Sequence, residues 1–182
     1  STRTYYDHIN KLVQARAGQR HSAPLLIESL DSAGLSRLSS AEEWARAAQV
    51  LSASAQRLEA AGATALLIGT NSMHKVFDQV AASVGVPIIH IAECVAARMA
   101  ADGVKKAALI GTRNVMTESF YRQKLIARDI ELLPPEMQFV DTLDRIIYDE
   151  LLLGKATRQS ERELKTILTN LDQDGADAVV LG

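Results

Sequence analysis

The stretch that decides the fold is residues 66–76, LLIGTNSMHKV. Three large apolar residues lead into Gly69, the small polar residues Thr70, Asn71 and Ser72 follow, and a new helical pattern opens at Met73. A short apolar run that stops at glycine reads as a buried strand, and the small polar residues read as its exit into a helix. The same cassette recurs: AAGATALLIGTN, ADGVKKAALIGTRN and QDGADAVVLG. Each copy has a glycine where a helix should stop, a short polar step, an apolar strand and a second glycine at the strand exit. The first two copies continue Gly-Thr; the third reaches its glycine at Gly182. One βα unit is repeated along the chain.

Working outward, the helical and strand patterns alternate. Tyr5, Ile9, Leu12 and Val13 recur at helical spacing, so the chain opens in a helix. PLLIESL (24–30) is a strand candidate, and the Ser- and Gly-rich run 31–40 is a loop. Ser40 stands three residues before Glu43, a capping-box signature, and starts an Ala-rich helix to about residue 60. Further helices are expected over 73–83, 93–101, 114–129, 142–154 and 160–175. Further strands are expected in VPIIHIA (86–92), KKAALIG, IELLPP and ADAVVLG. Strands separated by helices predict α/β architecture with parallel sheets, and the near-continuous apolar strands fit burial on both faces. No low-complexity linker is present. A boundary is expected near residue 85, giving units 1–85 and 86–182.

Composition narrows the function. With 182 residues, 47% hydrophobic and 23% charged, the chain is of ordinary globular type and large enough for one sizeable core or two small ones. A net charge of -2 without a basic cluster argues against a nucleic-acid partner. No apolar run approaches the ~18 residues a membrane helix needs. The single cysteine, Cys94, excludes an intrachain disulfide and suits a reducing cytoplasm. The partner expected is a small molecule, a second copy of the chain in a homodimer, or both.

In open α/β sheets ligands bind beyond the carboxyl ends of strands. Thr70, Asn71 and Ser72 hold that place after one strand, and Thr112, Arg113 and Asn114 after another. The residues fit two readings: plain helix N-caps, or donors of one shared anion site. Cys94, in an Ala-rich helix, reads as core packing rather than nucleophile. His8, His21, His74 and His90 form no spacing typical of a metal site, and no phosphate-binding glycine fingerprint appears. His74 can orient the Thr70 turn or simply cap the helix. Trp44 reads as core or dimer interface.

These motifs resemble those of the cofactor-independent aspartate/glutamate racemase family. GTNSMHKV resembles its Cys/Thr-Asn-Thr/Ser-x-His motif, IIHIAECVA the start of its second lobe, ALIGTRNVM its Gly-Thr turn, and GADAVVLG the strand before its Gly-Cys-Thr-Glu motif. The resemblance implies two Rossmann-like lobes, each a parallel sheet flanked by helices. A pseudo-twofold relates them, and the active site lies in the cleft between. It implies proton abstraction and return at Cα of aspartate or glutamate, without pyridoxal phosphate or metal. Thr70 occupies the position of the first catalytic cysteine, which is similar to a subgroup that favours L enantiomers. The second base, a cysteine, is expected just after Gly182, and a strand with a Gly-Gly-Met turn before the opening helix. Asn71, Ser72, Thr112, Arg113 and Asn114 are implied substrate contacts. Val115 stands where many relatives carry threonine. A catalytically silent carboxylate-binding module and a related isomerase or decarboxylase remain as alternatives.

Overall fold

The computed structural model describes residues 2–182. The chain divides into two compact units, one reaching to Ile89 and the other spanning His90–Gly182. Each unit is an α/β assembly built on a parallel sheet.

In the first unit, α1 (Thr2–Ala17) opens the chain. The Asn10 side chain ties this helix to the segment after it, donating to the Tyr6 carbonyl and accepting from the Ala23 N–H, both at 2.9 Å. Helix α2 (Ala41–Ala60) begins in the expected capping box: Ser40 Oγ accepts from the Glu43 N–H, and the Glu43 carboxylate accepts from the Ser40 N–H at 2.9 Å. Main-chain donors of Ser40 and Ser39 favour the charged carboxylate and hold its pKa at about 2. Trp44, Ala47, Ala48, Leu51 and Ala55 fall on one helical stripe and are buried, which places Trp44 in the core. That stripe packs on β1 (Leu66–Leu67), on the 3-10 turn Ser72–Val76 and on α3 (Phe77–Ala81). The parallel partner of β1 is β2 (Ile88–Ile89), in register Leu66 with Ile88 and Leu67 with Ile89. This pairing puts the 88–89 strand in the first unit, so the division falls after Ile89 rather than near residue 85. Leu66 turns inward to the α2 core, while Leu67 and Ile89 stay 47% and 44% exposed on the other side.

The second unit opens with α4 (Ile91–Ala101), capped by His90. Central strand β3 (Lys106–Ile110) is flanked by β4 (Glu131–Leu132) and β5 (Ala178–Leu181), all parallel, in the order β4-β3-β5. The short α5 (Arg113–Thr117) leaves β3, and α6 (Ser119–Ile126) follows it. One side of the sheet packs with α4 and α6 around Ala107, Leu109, Tyr121, Leu125 and Val180. Helices α7 (Met137–Asp149) and α8 (Arg158–Gln173) cover the other through Val140, Leu143, Ile167 and Leu171. Burial on both faces is the condition parallel strands require.

The repeated cassette has one backbone solution. Gly62, Gly103 and Gly175 all take positive φ (97°, 76° and 84°), where a side chain is strained. Around each, a six-residue ring closes the preceding helix: the N–H groups of Ala63, Val104 and Ala176 donate to the carbonyls of Leu58, Met99 and Leu171, at 3.0 Å in every copy.

Several expected elements need correction. Residues 24–30 form no strand: among the described residues no strand pairs with them, so their backbone lacks a ladder, and Glu28 instead engages Arg57. The helix expected over 73–83 is α-helical only from Phe77, because the His74 N–H reaches back three residues to the Asn71 carbonyl and winds the first turn as 3-10. The strand expected over 86–92 stops at Ile89, since His90 caps α4. The single helix expected after Gly111 breaks at Glu118, whose backbone is extended (φ -92°, ψ 161°). Arg122 donates to the carbonyl of Met116 beside that break at 3.3 Å, and burial lowers its pKa.

Candidate functional site

The Thr70 turn is built from behind. Gly69 ends the β1 segment, and Thr70 emerges exposed at the carboxyl end of the strand. Asn71 follows in helical conformation with no side-chain cap bond, so the plain N-cap reading fails for it. Among the described residues its Oδ1 is buried without a hydrogen-bond partner. Met73, His74 and Val76 turn into the α2 core, while Lys75 lays its ammonium 4.5 Å from the centre of the Trp44 ring. The His74 ring is 2% exposed and stacks on Phe77, with centroids 6.0 Å apart and planes 9° from parallel. Its Nδ1 lies 3.0 Å from the Thr70 carbonyl oxygen. A carbonyl only accepts, so the proton sits on Nδ1. Burial lowers the pKa of this ring and favours the neutral form; hydrogen bonds to the Thr70 and Asn71 main chain offset part of that.

The Thr112 turn has the same sequence logic and a different state. Thr112 precedes α5 in extended conformation, without a side-chain cap bond. The Arg113 N–H donates to Asp144 Oδ1 at 2.8 Å, and the Arg113 guanidinium pairs with Asp141. Two carboxylates of α7 therefore hold donors that the sequence assigns to a substrate. Val115 is fully buried, and a Cβ added to Gly182 would sit 2.5 Å from its Cγ1. A side chain at Gly111 would meet the Gly182 carbonyl oxygen at 2.9 Å and its carbonyl carbon at 3.0 Å. The exits of β3 and β5 touch backbone to backbone, so packing alone requires both glycines and fixes Val115 as core.

The structure thus gathers Thr70, Asn71 and Ser72 at the exit of β1, and Thr112, Arg113 and Asn114 at the exit of β3. Sequence reasoning passed over Asp141 and Asp144. Their signal was available: two acidic residues three apart share one face of a strongly amphipathic helix. Cys94 is exposed, against the core position expected, because α4 buries Ala92, Ala96 and Met99 and leaves position 94 off that stripe. His90 caps α4, its Nδ1 accepting from the Ala92 N–H at 3.2 Å.

A cavity of about 350 Å³ lies elsewhere, beneath α7 and α8, with walls that include Met116, Val140, Leu143 and Ile167. Those side chains are at most 3% exposed and belong to the core. None of the candidate site residues lines it. Among the described residues no group of three or more His, Cys, Asp or Glu is placed to hold a metal ion, and no helix is long and apolar enough to cross a membrane.

Known proteins share this fold. A crystal structure of an Asp/Glu racemase candidate from Yersinia pestis superposes with a TM-score of 0.89 at 36% identity, over 100% of this chain and 79% of that one. An aspartate racemase homologue from Pyrococcus horikoshii matches with a TM-score of 0.77 at 29% identity, over 98% of this chain and 78% of its own. The family model for Asp/Glu/hydantoin racemases matches residues 1–182. With family model and fold in agreement from end to end, this chain belongs to the Asp/Glu/hydantoin racemase family.

Proposed function

We propose that this protein interconverts the L and D forms of aspartate or glutamate by removing and returning the Cα proton without a cofactor. The observation that carries the reading is the Thr70 turn: in a chain of the racemase family, it presents an exposed threonine at a strand exit and is anchored by buried neighbours. In this reading Thr70 serves the proton-transfer position on one face of Cα. The second base is a cysteine following Gly182. A thiol titrating at ~8.5 or below is a competent base near neutrality, whereas an aliphatic hydroxyl is a very weak one. The two directions of proton transfer are therefore unequal by construction.

Asn71, Ser72, Thr112 and Asn114 supply polar groups for the substrate's carboxylates and ammonium. Hydrogen-bond donors aimed at the α-carboxylate stabilise the charge that builds on it as the Cα proton leaves. Arg113 joins them only after its guanidinium exchanges Asp141 for a substrate carboxylate. The protein is proposed to act as a homodimer in the cytoplasm.

The test is isotope exchange. The full natural chain, incubated in heavy water with L-aspartate or L-glutamate, should exchange the Cα proton faster than the D enantiomer accumulates. Equal exchange from both enantiomers would remove the assigned asymmetry. Binding without any exchange would favour a silent carboxylate-binding module.

A further inference from the structure

Thr70 is exposed, and nothing in its own side chain fixes where its hydroxyl points. What fixes the turn is a residue outside the set of substrate contacts. His74 is buried among Met73, Val76 and the α2 stripe, and its ring is held flat against Phe77. It addresses the turn twice. Its main-chain N–H donates to the Asn71 carbonyl at 3.1 Å, and its ring nitrogen reaches the Thr70 carbonyl at 3.0 Å. Those two carbonyls belong to successive peptide groups, so both planes that set the directions of Thr70 and Asn71 are tied to one buried residue.

The energetics favour a lock over a decoration. A buried imidazole N–H without an acceptor is costly, so turning the 70–71 peptide away from His74 is opposed by the desolvated donor it would leave behind. The ring cannot follow a moving turn either, because Phe77 and the core confine it. Lys75, seated over Trp44, pins the next residue to α2.

We propose that His74 is the positioning residue of this site: the Nδ1–H donated to the Thr70 carbonyl sets the direction in which Thr70 and Asn71 meet the substrate. The inference rests on the reading that Thr70 faces the reacting carbon. It adds a definite tautomer and a residue that acts through the backbone without touching substrate. Misplacing a reacting group by about 1 Å costs on the order of 100-fold in rate, so a loosened turn should act on turnover more than on binding.

Two substitutions separate positioning from bulk packing. His74→Leu fills the space without a donor; His74→Asn offers an amide N–H near the place of Nδ1. In the full natural chain, His74→Leu should lower kcat for Cα-proton exchange roughly 10- to 100-fold with KM moving little, and His74→Asn should recover most of the loss. Nitrogen-15 NMR of the wild type should show His74 protonated at Nδ1 and bare at Nε2. A ring protonated at Nε2 only would overturn the proposal whatever the kinetics. So would a folded His74→Leu protein with unchanged kcat, or an Asn variant no better than Leu. If the wild type exchanges no proton from aspartate or glutamate, the racemase reading fails. Positioning is then judged by the tautomer and by titrating L-aspartate against the Thr70 and Asn71 amide signals: shifts present in wild type and lost in His74→Leu uphold it, and shifts that persist unchanged overturn it.

Discussion

The turns that leave β1 and β3 share a Gly-Thr sequence and differ in nearly everything else. At Gly69 an added Cβ would meet, among the described residues, only Thr2 Oγ1 at an ordinary 3.5 Å; at Gly111 it would collide with the backbone of Gly182. Thr70 is exposed and its carbonyl is held by a buried ring, whereas the second turn gives its Arg113 N–H and guanidinium to Asp144 and Asp141. One turn leaves Thr70 exposed to solvent. The other commits much of its hydrogen-bonding capacity to its own unit. The repeated glycines close the preceding helices alike, while the residues around each turn decide which of its donors are already engaged.

The largest effect that would sharpen this contrast is chemical. Thr70→Cys places a thiol of pKa ~8.5 where the hydroxyl could not deprotonate near neutrality. In a chain that carries a cysteine after Gly182, exchange from the D enantiomer should rise relative to L by roughly 100-fold, the scale of a well-placed general base. Measuring kcat/KM for both enantiomers decides it. A folded mutant whose D/L ratio stays fixed would mean Thr70 is not at the proton-transfer position.

Next in size is a steric comparison. Gly111→Ala should destabilise the second unit by about 1–3 kcal/mol, since the obstruction is backbone and must shift. Gly69→Ala should stay within roughly 0.5 kcal/mol of wild type. Urea unfolding of both variants is sufficient. Equal losses would erase the distinction between the two glycines.

A smaller effect separates the carboxylates of α7. Asp144→Ala removes the acceptor for the Arg113 N–H and should cost about 1 kcal/mol, as loss of a helix-cap acceptor does. Asp141→Asn breaks an exposed pair and should cost no more than about 0.5 kcal/mol. It also releases the guanidinium, so L-aspartate should bind a few-fold more tightly by calorimetry. Weaker binding would show that Asp141 orients Arg113 rather than competing for it.

The smallest effect is in pH. The folded-state pKa of His74 lies below its ordinary 6.5, chiefly because the ring is desolvated. Above 6.5 the ring is neutral in folded and unfolded chains alike. As pH falls from 6.5 toward the lowered folded value, the unfolded chain takes up a proton that the folded one refuses, and stability declines. His74→Asn should lose that part of the slope. An unchanged slope in acid titrations of the two proteins would assign it to other groups.

Elements with a local cause could be read from the sequence. The Ser40–Glu43 box, the left-handed glycines of the repeated cassette and the apolar strands of the second unit each arise from a few adjacent residues. Residues 24–30 misled because an apolar run becomes a strand only beside a partner, and partners are not written locally. The cap at His90 was hidden because histidine is an uncommon N-cap, so Ile91 and Ala92 read as strand. The place of Thr70 and Asn71 at a strand exit was legible from composition and position. The occupation of Arg113 was not, since Asp141 and Asp144 lie 28 and 31 residues further along. His74 was visible only as a choice between orienting and capping, because sequence does not show where a ring nitrogen points.

The strand order of the second unit has a consequence in time. Central β3 finds β4 after the two short helices α5 and α6, but its other neighbour, β5, comes after α7 and α8, and the Asp177 carboxylate that accepts from the Lys105 and Lys106 N–H groups bridges 72 and 71 residues. Closing so long a loop is entropically late. During synthesis β1 can pair with β2 once Ile89 has emerged, whereas β3 waits with one edge open until the polypeptide has been extended to Leu181. The backbone contact between Gly111 and Gly182 forms only after that extension.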